Sequence, residues 1–262
     1  MSSKTTIAQQ KVVRGAAGWS RVWQAGGQNV SSDMPAAQQN DPHELLEVFD
    51  AAGQPTGVAK SRAAVHLDGD WHQAFHCWIV RPGPEVVVQR RSLLKDTFAG
   101  YWDASAAGHW RFGETALEAS REIAEELGID FDFAALRYRG REPLARTFDN
   151  GLIDREHHQV YVLPLALPLL AYRPDPAEVS ALAAVPGAEL IALLAGQLQS
   201  VRSTEAVTVR TGGALSAAAF DLRREELVPY SPARLRRNLG LGEGELLDSR
   251  RHGSKQQEPD GR

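Results

Sequence analysis

A single cysteine, Cys77, occurs in 262 residues, so an internal disulfide framework is excluded and a reducing cytoplasm is the expected compartment. It sits within the apolar run AFHCWIV and reads as a packed core thiol rather than a nucleophile. No apolar run approaches the ~20 residues that a membrane-spanning helix needs. The opening stretch, MSSKTTIAQQKVVRGAAGW, lacks the apolar centre of a signal peptide. A basic excess is also missing. The chain has 29 Lys and Arg against 33 Asp and Glu, a net charge of −4, without the basic stripe of a general nucleic-acid binder. Neither nucleic acid nor a membrane is therefore the expected partner. Methionine is scarce too, with only Met1 and Met34. Met34 lies just ahead of the first strand-like run, which suggests that translation starts there; an intact mass equal to the full-length chain would reject that reading.

What is present is ordinary globular material, 43% hydrophobic and 24% charged. Residues 1–42, rich in Gln, Ser, Ala and Gly without a sustained period, read as a disordered tail. A domain is expected over residues 43–200. Within it Glu44 to Asp50 reads as a strand, followed by a short helical or irregular segment. Gln73 to Val80 and Glu85 to Arg90 read as a hairpin turned by Arg81-Pro82-Gly83-Pro84, with YWDASAAGH as a further strand. Leu136 to Thr147 and His158 to Leu165 read as strands split by the polar turn FDNGLIDREH. Val179 to Val185 reads as a short strand and Gly187 to Gln197 as an amphipathic helix. Residues 201–240 read as an extension packed on the domain, and 241–262 as a solvated, disordered tail. Mostly strands with few helices means an α+β class.

The most informative stretch is GHWRFGETALEASREIAEELGI, from Gly108 to Ile129. Glu122, Glu125 and Glu126, joined by Glu118, fall in one arc of roughly 100° on a helix. Ala116, Ala119, Ile123 and Leu127 take the opposite, core-facing side. Thr115 with Glu118 forms a capping box that starts the helix, and Gly128 suits the left-handed position that ends it. Like charges at this spacing destabilise a helix, and Arg121 is the one cation along it. A solvated acidic face is one explanation. The other is a hard divalent ion, since carboxylate oxygens suit Mg²⁺, Mn²⁺ or Ca²⁺.

The whole string resembles the Nudix box, the signature of hydrolases that act on a nucleoside diphosphate linked to another group. Arg121 through Ile129, REIAEELGI, matches the second half of that pattern without a mismatch, and Gly108 and Glu114 match the first half. Only six residues separate Glu114 from Arg121 where the family has seven. The resemblance implies a Nudix-type α/β/α sandwich with a mixed sheet, and water attack on a phosphorus of a small diphosphate compound. It implies Mg²⁺, with Mn²⁺ as a substitute, held by Glu122, Glu125 and Glu126 and the Gly108 carbonyl. Arg121 would orient the glutamates, and Glu114 would brace the loop.

The segment from Arg62 to His109 is also similar to the prenyl diphosphate isomerase branch of that superfamily, through His66, His72, the QRRS run, Lys95 and WDASAAGH. In those isomerases a cysteine that performs acid–base work precedes the Gly-His; here Ala107 stands there, and a methyl group transfers no proton. His66, His72 and His109 would be metal ligands in the isomerases, but a hard-metal hydrolase needs no imidazole, so they read as hydrogen-bonded structural histidines. Arg90, Arg91 and Lys95 are candidates to hold the diphosphate, and strand alternation lets at most one of the two arginines reach the site. Glu178 is a candidate additional metal ligand or base. Glu156, His157 and His158, on the polar turn, could offer a base near neutral pH. Tyr101 and Trp102 could stack on a nucleobase, although Trp102 reads as core. The reading is a Mg²⁺-dependent pyrophosphohydrolase. The alternatives are a non-catalytic ligand-binding module and an isopentenyl diphosphate isomerase, the latter disfavoured by Ala107.

Overall fold

A computed structural model describes residues 44–241 and the backbone of Asn29–Val30. Apart from that pair and Leu241, the tails expected at residues 1–42 and 241–262, and the start at Met34, lie outside the described residues. In chain order the elements are β1 (Asn29–Val30), β2 (Leu45–Phe49), β3 (Pro55–Ser61), α1 (Arg62–Asp68), β4 (Trp71–Arg81), β5 (Glu85–Arg91), β6 (Trp102–Asp103) and β7 (Ala106–His109). Then come α2 (Ala116–Ala119), α3 (Arg121–Leu127), β8 (Phe131–Asp132), β9 (Arg137–Thr147), β10 (Ile153–Pro164), β11 (Val179–Pro186) and α4 (Gly187–Leu194). The chain closes with β12 (Ser200–Arg202), β13 (Glu205–Val209), β14 (Leu215–Ala218), β15 (Asp221–Arg223) and α5 (Pro232–Leu239).

The alternation of β4 shows why two layers of helix cover one sheet. Phe75, Cys77 and Ile79 point to one face, where they join Ile123 and Leu127 of α3. Trp78 points to the other, with Leu190, Ile191 and Leu194 of α4 and Leu235 of α5. Successive residues on a strand face opposite ways, so a run apolar at nearly every position must be buried on both sides. The main path of the sheet runs β14-β13-β11-β5-β4-β10-β9. Its pairings are antiparallel except β4 with β10, which makes it the mixed sheet of the expected α/β/α sandwich. Cys77 is fully buried in this core, and burial pushes its thiol up out of the range of a reactive thiolate.

One departure from regularity opens the site. The strands β4 and β5 pair only from Ile79 to Arg81 and then diverge; β7 takes over alongside β4, and β6 alongside β5. Ser105 bridges the fork: its Oγ accepts from the Ile79 N–H at 2.7 Å and donates to the Val87 carbonyl. The run YWDASAAGH is therefore two short strands, because Ser105 spends its hydrogen bonds across the fork.

One further expectation is corrected. The stretch expected as a turn up to His157 is strand from Ile153 onward, because Glu156, His157 and His158 pair with β4 on one side and β9 on the other. Residues 201–240, expected as an extension packed on the domain, supply β13 to the main sheet, where it pairs with β11, and seat Leu235 of α5 in the core.

Candidate active site

The box folds into two helical pieces rather than one. Thr115 caps α2 with both capping-box hydrogen bonds, and Ser120 then breaks the run before α3 begins at Arg121. Gly128 ends α3 in the left-handed conformation at φ 59°, as expected of a glycine there. Across the shortened spacing, Glu114 Oε1 accepts from Arg121 Nε at 2.9 Å, and its Oε2 accepts from the Arg111 N–H at 2.8 Å. Glu118, expected in the acidic arc, is instead exposed and committed to the cap.

The remaining glutamates are not a solvated face. Glu126 is 0% exposed and Glu122 is 4% exposed. Glu126 Oε2 accepts from Gln89 Nε2 at 2.8 Å and from the Ala107 N–H at 3.0 Å, while its Oε1 has no hydrogen-bond partner. Burial raises Glu126 above the ordinary carboxylate range, against the pull of Lys95. Burial likewise lifts Glu122 to about 8; the Arg121 charge opposes this, and Glu126 and Glu125 add to it. Arg121 pairs with Glu122 and, through Nη1 at 3.1 Å, with Glu125, and its own proton is held more tightly than usual. Gly108 is required by this packing, since a Cβ there would collide with the Glu122 carboxyl. An orphaned carboxylate oxygen beside a second buried carboxylate is the donor set a divalent hard ion would complete.

Lys95 reaches this cluster. It pairs with Glu178 and lies 3.8 Å from Glu126 Oε1, so the late acid Glu178 is brought to the glutamates from the loop before β11. Arg91 turns into the same cleft, where Asp103 Oδ2 accepts from its Nη1 at 3.0 Å and the Thr97 carbonyl accepts from its Nε at 3.1 Å. Arg90 does not line the cleft. Alternation sends it to the opposite face, with Nε on the Gly100 carbonyl at 2.9 Å and its guanidinium 5.9 Å from the Trp102 ring centroid. Trp102 is 2% exposed and sits in the core, while Tyr101 is half-exposed beside Phe98.

The histidines converge. Three strands lie side by side with one common face: Ala107 and His109 on β7, His72, Ala74 and His76 on β4, and Asp154, Glu156 and His158 on β10. The small Ala74 and Ala107 leave the space between them open as a cleft of about 120 Å³. From above, α1 adds His66; it is capped at its start by Ser61 and ended by Gly69 at φ 68°. Ring centroids of His66, His72 and His109 lie 5.0 to 5.3 Å apart. Asp154 Oδ1 is 3.9 Å from His66 Nε2 and 3.8 Å from His72 Nε2. Glu156 Oε1 is 3.8 Å from His72 Nε2 and 3.9 Å from His109 Nε2.

His72 Nδ1 donates to the Asp70 carbonyl at 3.1 Å, which leaves the Nε2 lone pair facing the carboxylates without a hydrogen-bond partner. Burial, and then the neighbouring imidazoles, lower His66 to about 3 and His72 to about 4, so both are neutral and free to ligate at pH 7. Asp154, buried beside Glu156, is raised well above its ordinary value. Glu156 is held well below its own, because the His158 hydrogen bond and charge outweigh its burial. Asp154 was missed from sequence, although Asp154, Glu156 and His158 alternate with period 2, the signal of one strand face. Asp103, Gln89 and Tyr230 carried no local signal.

His157 leaves the cleft, with Nε2 on the Asp50 carbonyl at 2.9 Å and its ring stacked on Trp71. No described helix is long and apolar enough to cross a membrane.

Residues 70–206 match the NUDIX domain family. The chain is 34% identical over 191 residues to an uncharacterized Nudix hydrolase of Clostridium acetobutylicum, covering 71% of this chain and 91% of that one. It is 36% identical over 145 residues to an isopentenyl-diphosphate Delta-isomerase of Cutibacterium acnes, covering 53% of this chain and 72% of that protein. Nudix hydrolase 3 of Arabidopsis thaliana is 39% identical over 150 residues, 55% of this chain but only 19% of the plant protein's length. With the box helix, the buried glutamates and the mixed sheet in place, the chain belongs to the Nudix family of hydrolases of phosphoric anhydride bonds.

Proposed function

We propose that the protein is a divalent-metal-dependent pyrophosphohydrolase of a small diphosphate-linked compound, with Mg²⁺ as the ion at the glutamate cluster and Mn²⁺ able to replace it. The observation that carries this reading is Glu126 Oε1, a buried carboxylate oxygen without a hydrogen-bond partner beside buried Glu122. Glu122 and Glu126 would hold the ion, with Glu125 and the Gly108 carbonyl adding to them, and Arg121 fixes the carboxylates in place. A bound ion there neutralises phosphate charge and acidifies the attacking water. Arg91 and Lys95, on the same cleft, orient the diphosphate, and Arg62 and Arg111 add positive charge at its rim. One of the box carboxylates accepts the water proton.

A nucleotide and sugar-nucleotide panel, assayed for monophosphate release with Mg²⁺ and with chelator, tests this reading. Turnover should depend on metal and fall by a factor of roughly 100 or more in Glu126→Gln, the scale of losing a key electrostatic group. Ligand binding without release from any compound would favour a non-catalytic module instead.

The histidine group gives the isomerase reading one supporting observation, since His66, His72 and His109 with Asp154 and Glu156 form a donor set fit for a second, imidazole-preferring ion. Ala107 removes the thiol of the isomerase route, so incubation with isopentenyl diphosphate in deuterated water should show no exchange. The histidine group therefore serves the hydrolase cleft.

A further inference from the structure

Glu156 faces two ways. Its Oε1 is turned toward His72 and His109, at 3.8 and 3.9 Å. Its Oε2 accepts from His158 Nε2 at 2.7 Å, on the side where His158 lies against His76. The donor atoms of His76, Glu156 and His158 all lie within 4.8 Å of one another, as do those of His66, His72 and His109. His76 is 7% exposed, and its Nδ1 has no hydrogen-bond partner although the site around it is polar.

We propose that Glu156 bridges two cation positions, one held by His66, His72 and His109 and a second held by His76 and His158. The proposal rests on the histidine group acting as an ion site, and adds to it a second ion that the isomerase resemblance does not provide. Two imidazole nitrogens and one carboxylate oxygen suit Zn²⁺, Mn²⁺ or Co²⁺ better than Mg²⁺. One carboxylate spanning two ions through its two oxygens holds them about 3.5–4 Å apart, the usual spacing of two-metal centres.

Asp103 lies on the same cleft with its carboxylate on the Tyr230 hydroxyl and on Arg91, and Arg146 lines the cleft as well, its charge acting on His76. Burial keeps His76 neutral, so one ring nitrogen offers its lone pair without loss of a proton. Ligation does require movement. The two rings stack at 3.7 Å with planes 12° apart, and the in-plane lone pairs of parallel rings do not converge. A turn of each ring about its terminal torsion opens the stack without backbone motion, and the His158 proton now on Nε2 moves to Nδ1, which frees the Nε2 lone pair that faces Glu156.

The test uses the full-length protein stripped by chelator, with excess Mg²⁺ present so that the glutamate cluster is filled, and titrated with Co²⁺. Calorimetry counts the ions and visible absorption reports imidazole ligation. Two equivalents are expected in the wild type. His76→Ala and His158→Ala should each lose one and keep the other, which also shows that the variant is folded around the site. His66→Ala should lose the first and keep the second, and Glu156→Gln should weaken both by roughly tenfold or more. A single equivalent in the wild type, or two retained in both His76→Ala and His158→Ala, would overturn the bridge. No Co²⁺ uptake would remove both histidine positions, while Mg²⁺-dependent turnover would still decide the hydrolase reading separately.

Discussion

Glu122 and Glu126 set the pH behaviour of the protein. Glu122 is lifted from 4.5 to about 8, so the folded state keeps a proton that the unfolded chain has released. The stability from this group is complete below its unfolded value and is lost as pH rises through 8. His66 and His72, lowered from 6.5 to about 3 and about 4, act in the opposite sense: their contribution is complete above 6.5 and is lost as pH falls. Taken by themselves, these three groups make the metal-free protein gain stability up to pH 6.5 and lose it above. Between 6.5 and 8 Glu122 alone removes about 2 kcal/mol at most, from roughly 1.4 kcal/mol per pH unit. Thermal melts in chelator should show that decline, and saturating Mg²⁺ should flatten it by favouring the charged carboxylates. A decline unchanged by Mg²⁺ would argue against Glu122 as a ligand. At this scale the sequence was informative where neighbours in the chain do the chemistry. Glu122, Glu126 and Arg121 share one short helix, and Gly108 and Glu114 stand shortly before it, Glu114 one residue closer than the family pattern places it. Arg90 and Arg91 could be separated only once the strand's faces were known.

Among the elements, the fork between β4 and β5 and the broken box helix decide whether the site exists. Ser105 is fully buried and satisfies the Ile79 N–H and the Val87 carbonyl at once. Ser105→Ala leaves both unpaired and should cost roughly 2–4 kcal/mol, read as a shift in the denaturant midpoint at unchanged slope. Thr115→Ala removes only the cap of α2 and should cost about 1 kcal/mol, with kcat close to wild type because no cleft residue moves. A large loss of activity in Thr115→Ala would mean that the two helical pieces act as one. The capping box and Gly128 were legible as start and stop. The break at Ser120 was not, because neither glycine nor proline marks it in the sequence. The turn expected before His158 failed for a related reason: polar residues on a strand that lines a cleft resemble those of a loop.

Across the whole molecule, the C-terminal segment completes the cleft from a distance in sequence. Tyr230 lines its back wall, donates to Asp103 and packs edge-on against Trp78, and Asp103 in turn holds Arg91. Tyr230→Phe should raise KM by roughly 3- to 10-fold with kcat within about twofold, the effect of losing one hydrogen bond of about 1 kcal/mol that orients a binding arginine. A fall in kcat at unchanged KM would contradict that assignment. Taken alone, the order of residues determined the strand-rich class, the core face of the box helix and the pair of glutamates, because helical and strand periodicities are local and survive without a partner. Only the folded chain decided that Asp154, Glu156 and His158 stand beside His66, His72 and His109. The carboxylates reach His72 through a parallel pairing between strands about 80 positions apart, while β7 and α1 bring His109 and His66, and no local pattern records which strand will lie next to which.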